Sequence, residues 1–128
     1  VDELEEIVGA LQQWINSESV DVILSTGGTG LTGRDVTVEA HRRLYDKEID
    51  AFSTVFTNIS MGKIGTSALQ SRSCAGISSG KYLFALPGAP SACKDAWDDI
   101  LVFQLDSRNK PCNLVEILPR LAEAKSKK

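Results

Sequence analysis

The feature that most constrains this chain is a glycine-rich stretch that directly follows an apolar run. The apolar residues 20–24 read as a buried strand, and residues 25–37, STGGTGLTGRDVT, lead from it to a helical pattern. Glycines expose backbone N–H groups and a helix start adds partial positive charge, so this layout suits a bound phosphate. Because Asp35 would otherwise repel phosphate, we expect a bridging Mg²⁺ beside it. The sequence thus predicts an active centre at this loop.

The same stretch contains the string G-x-G-x-x-G, from Gly28 to Gly33, which is typical of dinucleotide-binding folds. In those folds the third glycine lies within the helix, but here Arg34 and Asp35 precede the helical pattern. The acids about 20 residues further on belong to a polar link and not to the end of a second strand. A nicotinamide-dependent oxidoreductase is therefore disfavoured, and no Lys-Ser/Thr pair supports a Walker A loop. A tight turn without a ligand is the remaining alternative.

Helical and strand patterns alternate along the chain, which predicts an α/β fold. Helices are expected over residues 3–16, 38–45, 52–59 and 91–106, and strands over 20–24, 73–78 and 81–86. The Ser79-Gly80 pair indicates a β-hairpin. We expect a single domain over residues 1–128 with a three-layer α/β/α arrangement and a mostly parallel sheet. Residues 107–128 are expected to form an irregular tail. Because a helix that feeds a strand is half of a βαβ unit, we expect an amino-terminal strand to be missing or to lie elsewhere in the chain.

A second loop of similar chemistry, residues 86–91 (LPGAPS), leads from a predicted strand into a helix start. In a parallel sheet both loops would leave the carboxyl edge, where ligands bind. That suits a substrate with two phosphates, or two phosphorylated substrates side by side. Ser71 and Arg72 could offer a hydroxyl and a guanidinium to a phosphate. The alternatives are a proline-terminated strand for the loop and an exposed turn for the pair.

Charge and cysteine content exclude several classes of protein. The net charge is -3 and the pI is about 5.1, so we expect no nucleic acid and no anionic membrane as partner. No apolar run is long enough to span a bilayer. Cys74, Cys93 and Cys112 have no metal-ligand spacing and favour a reducing, cytoplasmic setting. His41 stands on a predicted helix beside Arg42 and Arg43, so we expect it on the surface, and a histidine base is disfavoured.

Taken together, the motifs resemble the MoaB/MogA family of molybdopterin-binding proteins, and its MoaB branch in particular. In chain order the motifs are TGGTG (26–30), RDVT (34–37), IGTS (64–67), QSR (70–72), LPG (86–88) and DSR (106–108). The resemblance implies an α/β fold of the molybdopterin-binding type, commonly a trimer or a dimer of trimers. It also implies a role in molybdenum cofactor biosynthesis.

The resemblance further implies an adenylyltransferase that joins molybdopterin to AMP from ATP, uses Mg²⁺ and releases pyrophosphate. It implies catalytic and metal-binding roles for Asp35 and Asp2. The residues that it assigns to substrate binding are Thr26, Gly27, Gly28, Thr29, Gly30, Ser71, Arg72, Pro87, Gly88, Pro90 and Ser91. The family's opening strand and its loop have no counterpart in this sequence. A non-catalytic molybdopterin-binding or scaffold protein therefore stays open beside the enzyme.

Overall fold

The computed structural model describes residues 3–122, and its elements are labelled in chain order. The α-helices are α1 (Glu3–Ile15), α2 (Thr37–Leu44), α3 (Asp50–Ile64), α4 (Pro90–Ala96), α5 (Val102–Gln104) and α6 (Leu114–Ile117). The strands are β1 (Val22–Thr26), β2 (Lys47–Glu48), β3 (Cys74–Ser78) and β4 (Lys81–Leu86). A π-helical turn (Trp97–Leu101) joins α4 to α5, and 3-10 turns cover Gly65–Gln70 and Leu118–Arg120. The long helix expected after residue 90 is therefore present, with a π-helical turn inside it.

The described strands form one sheet in the order β1-β4-β3-β2. Parallel pairing joins β1 to β4, with Thr26 opposite Leu86 at their carboxyl ends. The predicted hairpin is confirmed, because β3 and β4 pair antiparallel through a turn in which Ser79 and Gly80 have φ angles of 51° and 80°. Two consecutive positive φ values are typical of the tight turn that matches strand twist.

The prediction of a mostly parallel sheet is wrong for this part of the chain. Only β1 and β4 are parallel among the described pairings, whereas β2 and β3 both run antiparallel to their neighbours. The physical reason is the length of the connections. A two-residue turn returns β4 directly alongside β3, while parallel strands need a long crossover such as the one from β1 to β4. The α/β class itself is confirmed.

Helices cover both faces of the sheet, as the three-layer prediction required. Because side chains alternate along a strand, Phe84 faces α3 while its neighbour Leu83 faces α1 and α2. Phe84 packs edge-on against Phe52 of α3, with ring centroids 5.3 Å apart. On the opposite face, Leu11 of α1 is buried beside Leu83. The apolar clusters on the two faces of the sheet thus hold β1 and β4 in position relative to the helices.

The segment expected to be irregular contains a short helix, α6. Asn113 caps it, because its side-chain oxygen accepts the Glu116 N–H at 2.9 Å. The Tyr82 hydroxyl donates to the Leu114 carbonyl at 2.7 Å and ties the helix to the sheet. Residues 123–128 of the predicted tail lie outside the described part. Over residues 3–122, no helix has the length and apolar character needed to cross a membrane.

Candidate functional site

The two glycine-containing loops meet at the carboxyl edge of the parallel pair, as the sequence predicted. β1 and β4 end in register, with Thr26 opposite Leu86. The Gly27 N–H donates to the Leu86 carbonyl at 2.9 Å. A Cβ built on Gly88 would lie 3.1 Å from the Cα of Gly27, which is closer than such atoms normally come. The first loop therefore touches the second through its backbone.

The first loop needs glycine at three positions. Gly27 and Gly28 have φ angles of 88° and 68°, which other residues rarely adopt. A Cβ on Gly28 would collide with the Thr37 hydroxyl, and a Cβ on Gly30 would lie 2.7 Å from an oxygen of Asp35. The glycines thus let the start of α2 and the Asp35 carboxylate pack directly on the loop backbone.

From Gly28 to Gly30 the carbonyl groups are engaged and the N–H groups are not. The Thr37 N–H donates to the Gly28 carbonyl at 3.0 Å, and the Arg72 N–H donates to the Thr29 carbonyl at 3.1 Å. In the described chain, by contrast, no hydrogen bond is made by the N–H groups of Gly28, Thr29 and Gly30. A backbone donor without a partner in the protein must be satisfied by water or by a ligand, so three in succession fit a site for an acceptor such as phosphate oxygen.

The Arg72 side chain lies against the loop backbone. Its Nε donates to the carbonyls of Thr29 and Gly30 at 3.1 and 3.0 Å, and its Nη2 donates to the Asp35 carbonyl at 2.9 Å. The guanidinium also pairs with Glu39 of α2, with Nη1 2.6 Å from one carboxylate oxygen. The hydrogen bond from Arg72 lowers the pKa of Glu39. Arg72 thus joins the two ends of the loop to the first turn of α2.

Asp35 keeps one carboxylate oxygen available. Its Oδ2 accepts the Thr32 N–H at 3.1 Å and the Thr32 hydroxyl at 2.8 Å. No hydrogen bond to Oδ1 is found within residues 3–122. The described residues contain no cluster of three or more His, Cys, Asp or Glu side chains that could enclose a metal. One free carboxylate oxygen fits Mg²⁺, which usually takes one or two carboxylates together with substrate phosphates. Asp2, the other predicted acid, lies outside the described residues.

A groove of about 620 Å³ runs between α1 and β1 and reaches the first loop. Glu3 and Glu6 supply acidic groups to its lining, and Trp14 and Leu24 supply exposed apolar surface. The loop side of the groove is formed by Ser25, Thr26, Gly27, Gly28 and Thr37. A ligand bound at Gly28, the end of the free N–H series that lines this groove, can therefore extend along its amphipathic surface.

The prediction that His41 lies on the surface is wrong, because its side chain is fully buried. Its Nε2 is 2.8 Å from the Ser25 hydroxyl, and its Nδ1 is 3.2 Å from the Tyr45 hydroxyl. Tyr45 in turn contacts the Cys74 sulfur at 3.2 Å. Burial lowers the pKa of His41 to about 4, so the ring is neutral at physiological pH. The signal was present in the sequence: Val38 and His41 follow at helical spacing on the inner face of α2, and Tyr45 continues this spacing directly after the helix.

Among the described residues, the remaining predicted site residues make no hydrogen bond to the first loop. Pro87 is buried, and its carbonyl accepts a hydrogen bond from the Cys93 thiol at 2.9 Å. Pro90 and Ser91 are exposed at the start of α4, and Ser71 is half-buried ahead of β3. Throughout residues 3–122, neither serine hydrogen-bonds to the first loop. The structure therefore brings residues 26–30, 72 and 87–88 together, whereas Ser71 and Ser91 make no hydrogen bond to the first loop within the described residues.

Comparison with known proteins identifies the family to which this chain belongs. The family model described as a probable molybdopterin binding domain matches residues 1–107. "Molybdenum cofactor biosynthesis protein B" of Escherichia coli is 49% identical over 100 residues, which cover 78% of this chain and 59% of that protein. The "Probable molybdopterin adenylyltransferase" of Methanocaldococcus jannaschii is 43% identical over 95 residues, which cover 74% of this chain and 58% of that protein. This chain therefore spans about three fifths of either relative.

Solved structures share the fold. The "tungsten cofactor synthesizing protein MoaB from Pyrococcus furiosus" superimposes with a TM-score of 0.74 at 33% identity. The match covers 94% of this chain and 69% of that structure. Nearly all of this chain therefore has a counterpart there, while about a third of that structure lies beyond the match.

Proposed function

Because the chain belongs to the family of probable molybdopterin binding domains, we propose that it acts in molybdenum cofactor biosynthesis and binds molybdopterin at the first glycine loop. The observation that carries this proposal is the set of free N–H groups on Gly28, Thr29 and Gly30. The terminal phosphate of molybdopterin supplies the missing acceptors, and the N-terminus of α2 adds partial positive charge beside them. The groove along α1 and β1 gives the rest of the ligand room to extend.

The reaction that this site supports is adenylyl transfer. An oxygen of the molybdopterin phosphate forms a bond to the α-phosphorus of ATP, the bond from that phosphorus to the bridging oxygen breaks, and pyrophosphate leaves with the electron pair. The protein holds the two phosphorylated molecules in line and stabilises their charge, with no covalent intermediate on the chain. The name of the Methanocaldococcus jannaschii relative supports this reading. The second loop, with Pro87, Gly88, Pro90 and Ser91, and the nearby Ser71 complete the substrate-binding set.

Asp35 and Asp2 are proposed as the catalytic and metal-binding acids. Asp35, whose Oδ1 accepts no hydrogen bond within residues 3–122, would hold Mg²⁺, and the ion would offset the negative charge of the polyphosphate. Asp35 is itself oriented by Thr32, whose N–H and hydroxyl both bind Oδ2. The acid therefore presents its other oxygen in a defined direction.

A non-catalytic molybdopterin-binding or scaffold protein is the second candidate, because the match to a probable molybdopterin binding domain supports binding and does not by itself support turnover. In the described sheet β1 is an edge strand, which fits the proposal that a further amino-terminal strand and helix belong beside it. One experiment separates the two candidates. The purified protein is titrated with molybdopterin, and pyrophosphate is measured after ATP and Mg²⁺ are added. Binding with pyrophosphate release supports the enzyme, binding alone supports the scaffold, and no binding contradicts both.

We also propose that the protein assembles into a trimer or a dimer of trimers and works in the cytoplasm. Adjacent elements carry exposed large apolar side chains, as expected for an interface between copies. These side chains are Val55, Met61, Ile64, Leu69, Trp97, Val102 and Phe103. The three cysteines are unpaired, which suits a reducing compartment. Sedimentation equilibrium tests the assembly, and a monomer at micromolar concentration would contradict it.

A further inference from the structure

Arg72 is anchored to the first loop by both its main chain and its side chain. Its backbone N–H and its Nε both donate to the Thr29 carbonyl, each at 3.1 Å. The residue lies between the 3-10 turn Gly65–Gln70 and β3, so the loop is fastened to the central part of the sheet. The Arg72 side chain is only 28% exposed. Its position is therefore set by the protein before any ligand arrives.

The contacts of the guanidinium use most of its hydrogen-bonding capacity. Of its five N–H donors, the Nε–H is shared by Thr29 and Gly30, and both donors on Nη2 are taken by the Asp35 carbonyl and Glu39. Nη1 donates to the other oxygen of Glu39. A single N–H on Nη1 is left for anything else. The guanidinium therefore has little hydrogen-bonding capacity left for a phosphate ligand. It holds the loop backbone instead, and we call this set of contacts the clamp.

The orientation of the carbonyls dictates the orientation of the free N–H groups. In a planar trans peptide, the C=O of one residue and the N–H of the next point in opposite directions. When Arg72 holds the Thr29 carbonyl, it turns the Gly30 N–H away from itself. Thr37 does the same for the Thr29 N–H by holding the Gly28 carbonyl. The clamp therefore determines which side of the loop offers donors to an anion.

We propose that Arg72, held by Glu39, is a positioning residue that keeps the glycine loop in its anion-binding form and Asp35 at its rim. It does so through the carbonyls of Thr29, Gly30 and Asp35 and makes no bond to the substrate phosphate. The identity of the anion as molybdopterin phosphate rests on the proposed function. The clamp itself is a property of the ligand-free protein.

The ligand-free protein gives the first test, by amide hydrogen exchange. Arg72→Lys keeps the charge but loses the planar fork, so we expect exchange at the amides of Thr32, Asp35 and Thr37 to quicken about tenfold. Arg42→Lys is the matched control, because Arg42 makes a similar forked pair with Glu48 away from the loop. Unchanged exchange in Arg72→Lys would overturn the proposal, whether or not the protein binds molybdopterin.

Glu39→Gln gives a second test, in which the two roles of Arg72 predict opposite signs. If Arg72 positions the loop, loosening it weakens molybdopterin binding roughly tenfold, as for the loss of one hydrogen bond between charged groups. If Arg72 contacts the phosphate, removing the competing carboxylate frees the guanidinium and tightens binding. Tighter binding would therefore overturn the proposal. If the wild-type protein binds no molybdopterin, the proposed function fails, and the exchange of the same loop amides in Glu39→Gln still decides the role of Arg72.

Discussion

Gly27 and Gly88 approach each other so closely that a single methyl group on Gly88 would lie 3.1 Å from the Gly27 Cα. These glycines stand at the ends of the two parallel strands, β1 and β4, and join the two loops of the candidate site. The spacing of the loops therefore depends on two residues that have no side chains.

Gly88→Ala tests this spacing. The added Cβ must push the loops apart, so we expect a loss of stability of about 1–2 kcal/mol and weaker molybdopterin binding. Denaturant unfolding and ligand titration measure the two effects. Gly33→Ala is the control, because a Cβ there meets nothing within 4 Å, and it should leave binding unchanged. Equal binding by the two variants would contradict the idea that the loops act as one site.

Asp35→Asn tests the assignment of the catalytic acid. The amide oxygen can still accept from Thr32, so the loop should keep its shape and molybdopterin binding should change little. Adenylyl transfer should fall by at least about a hundredfold, because the carboxylate charge that holds the metal is gone. The measurement is pyrophosphate release at saturating ATP and Mg²⁺. Asp21→Asn, at an exposed position before β1, is the control. Normal turnover in Asp35→Asn would refute the assignment.

The buried ring of His41 leads to a prediction about how the free energy of unfolding depends on pH. Its pKa of about 4 in the folded protein lies below the usual 6.5, so the unfolded chain binds more protons between these values. Its contribution to stability is complete above pH 6.5 and is lost as the pH falls towards 4, by roughly 3 kcal/mol in total. The free energy of unfolding is measured from pH 7 to pH 4 in the wild type and in His41→Gln. The wild type should fall more steeply, and parallel pH profiles would contradict the buried neutral ring.

Tyr45→Phe tests the hydrogen-bonded set of side chains that links Ser25, His41 and Tyr45. The substitution leaves the Nδ1 of His41 without its partner, so we expect a loss of stability of about 1–2 kcal/mol. Thermal unfolding gives the measurement. Tyr82→Phe offers a comparison, since it removes only the bond to the Leu114 carbonyl and should leave β1 and its loop undisturbed. If Tyr45→Phe is as stable as the wild type, the contacts of its hydroxyl contribute nothing.

Much of the local structure could be predicted from the sequence, because it depends on near neighbours along the chain. The Ser79-Gly80 turn and the strand up to Leu86 are where the pattern of residues put them. The strand-to-helix glycine loop was recognisable for the same reason, since positive φ at Gly27 and Gly28 is a property of glycine itself. The antiparallel direction of β2 was not recognisable, because a two-residue strand in a polar link carries no periodicity.

The contacts that the sequence could not show are those that depend on distant partners. For Arg72 the sequence predicts a phosphate ligand, which stays a prediction, and it could not show the acceptors that Arg72 binds in the folded chain, 33 to 43 positions away. His41 read as a surface residue because Arg42 and Arg43 follow it. Only the packing of α2 on the sheet turns its ring towards Ser25, which stands 16 positions earlier. The sequence by itself determined the loop, its glycines and its acid. Tertiary structure decided which side of that loop is free, because only the folded chain brings Arg72 and Thr37 to its carbonyl groups.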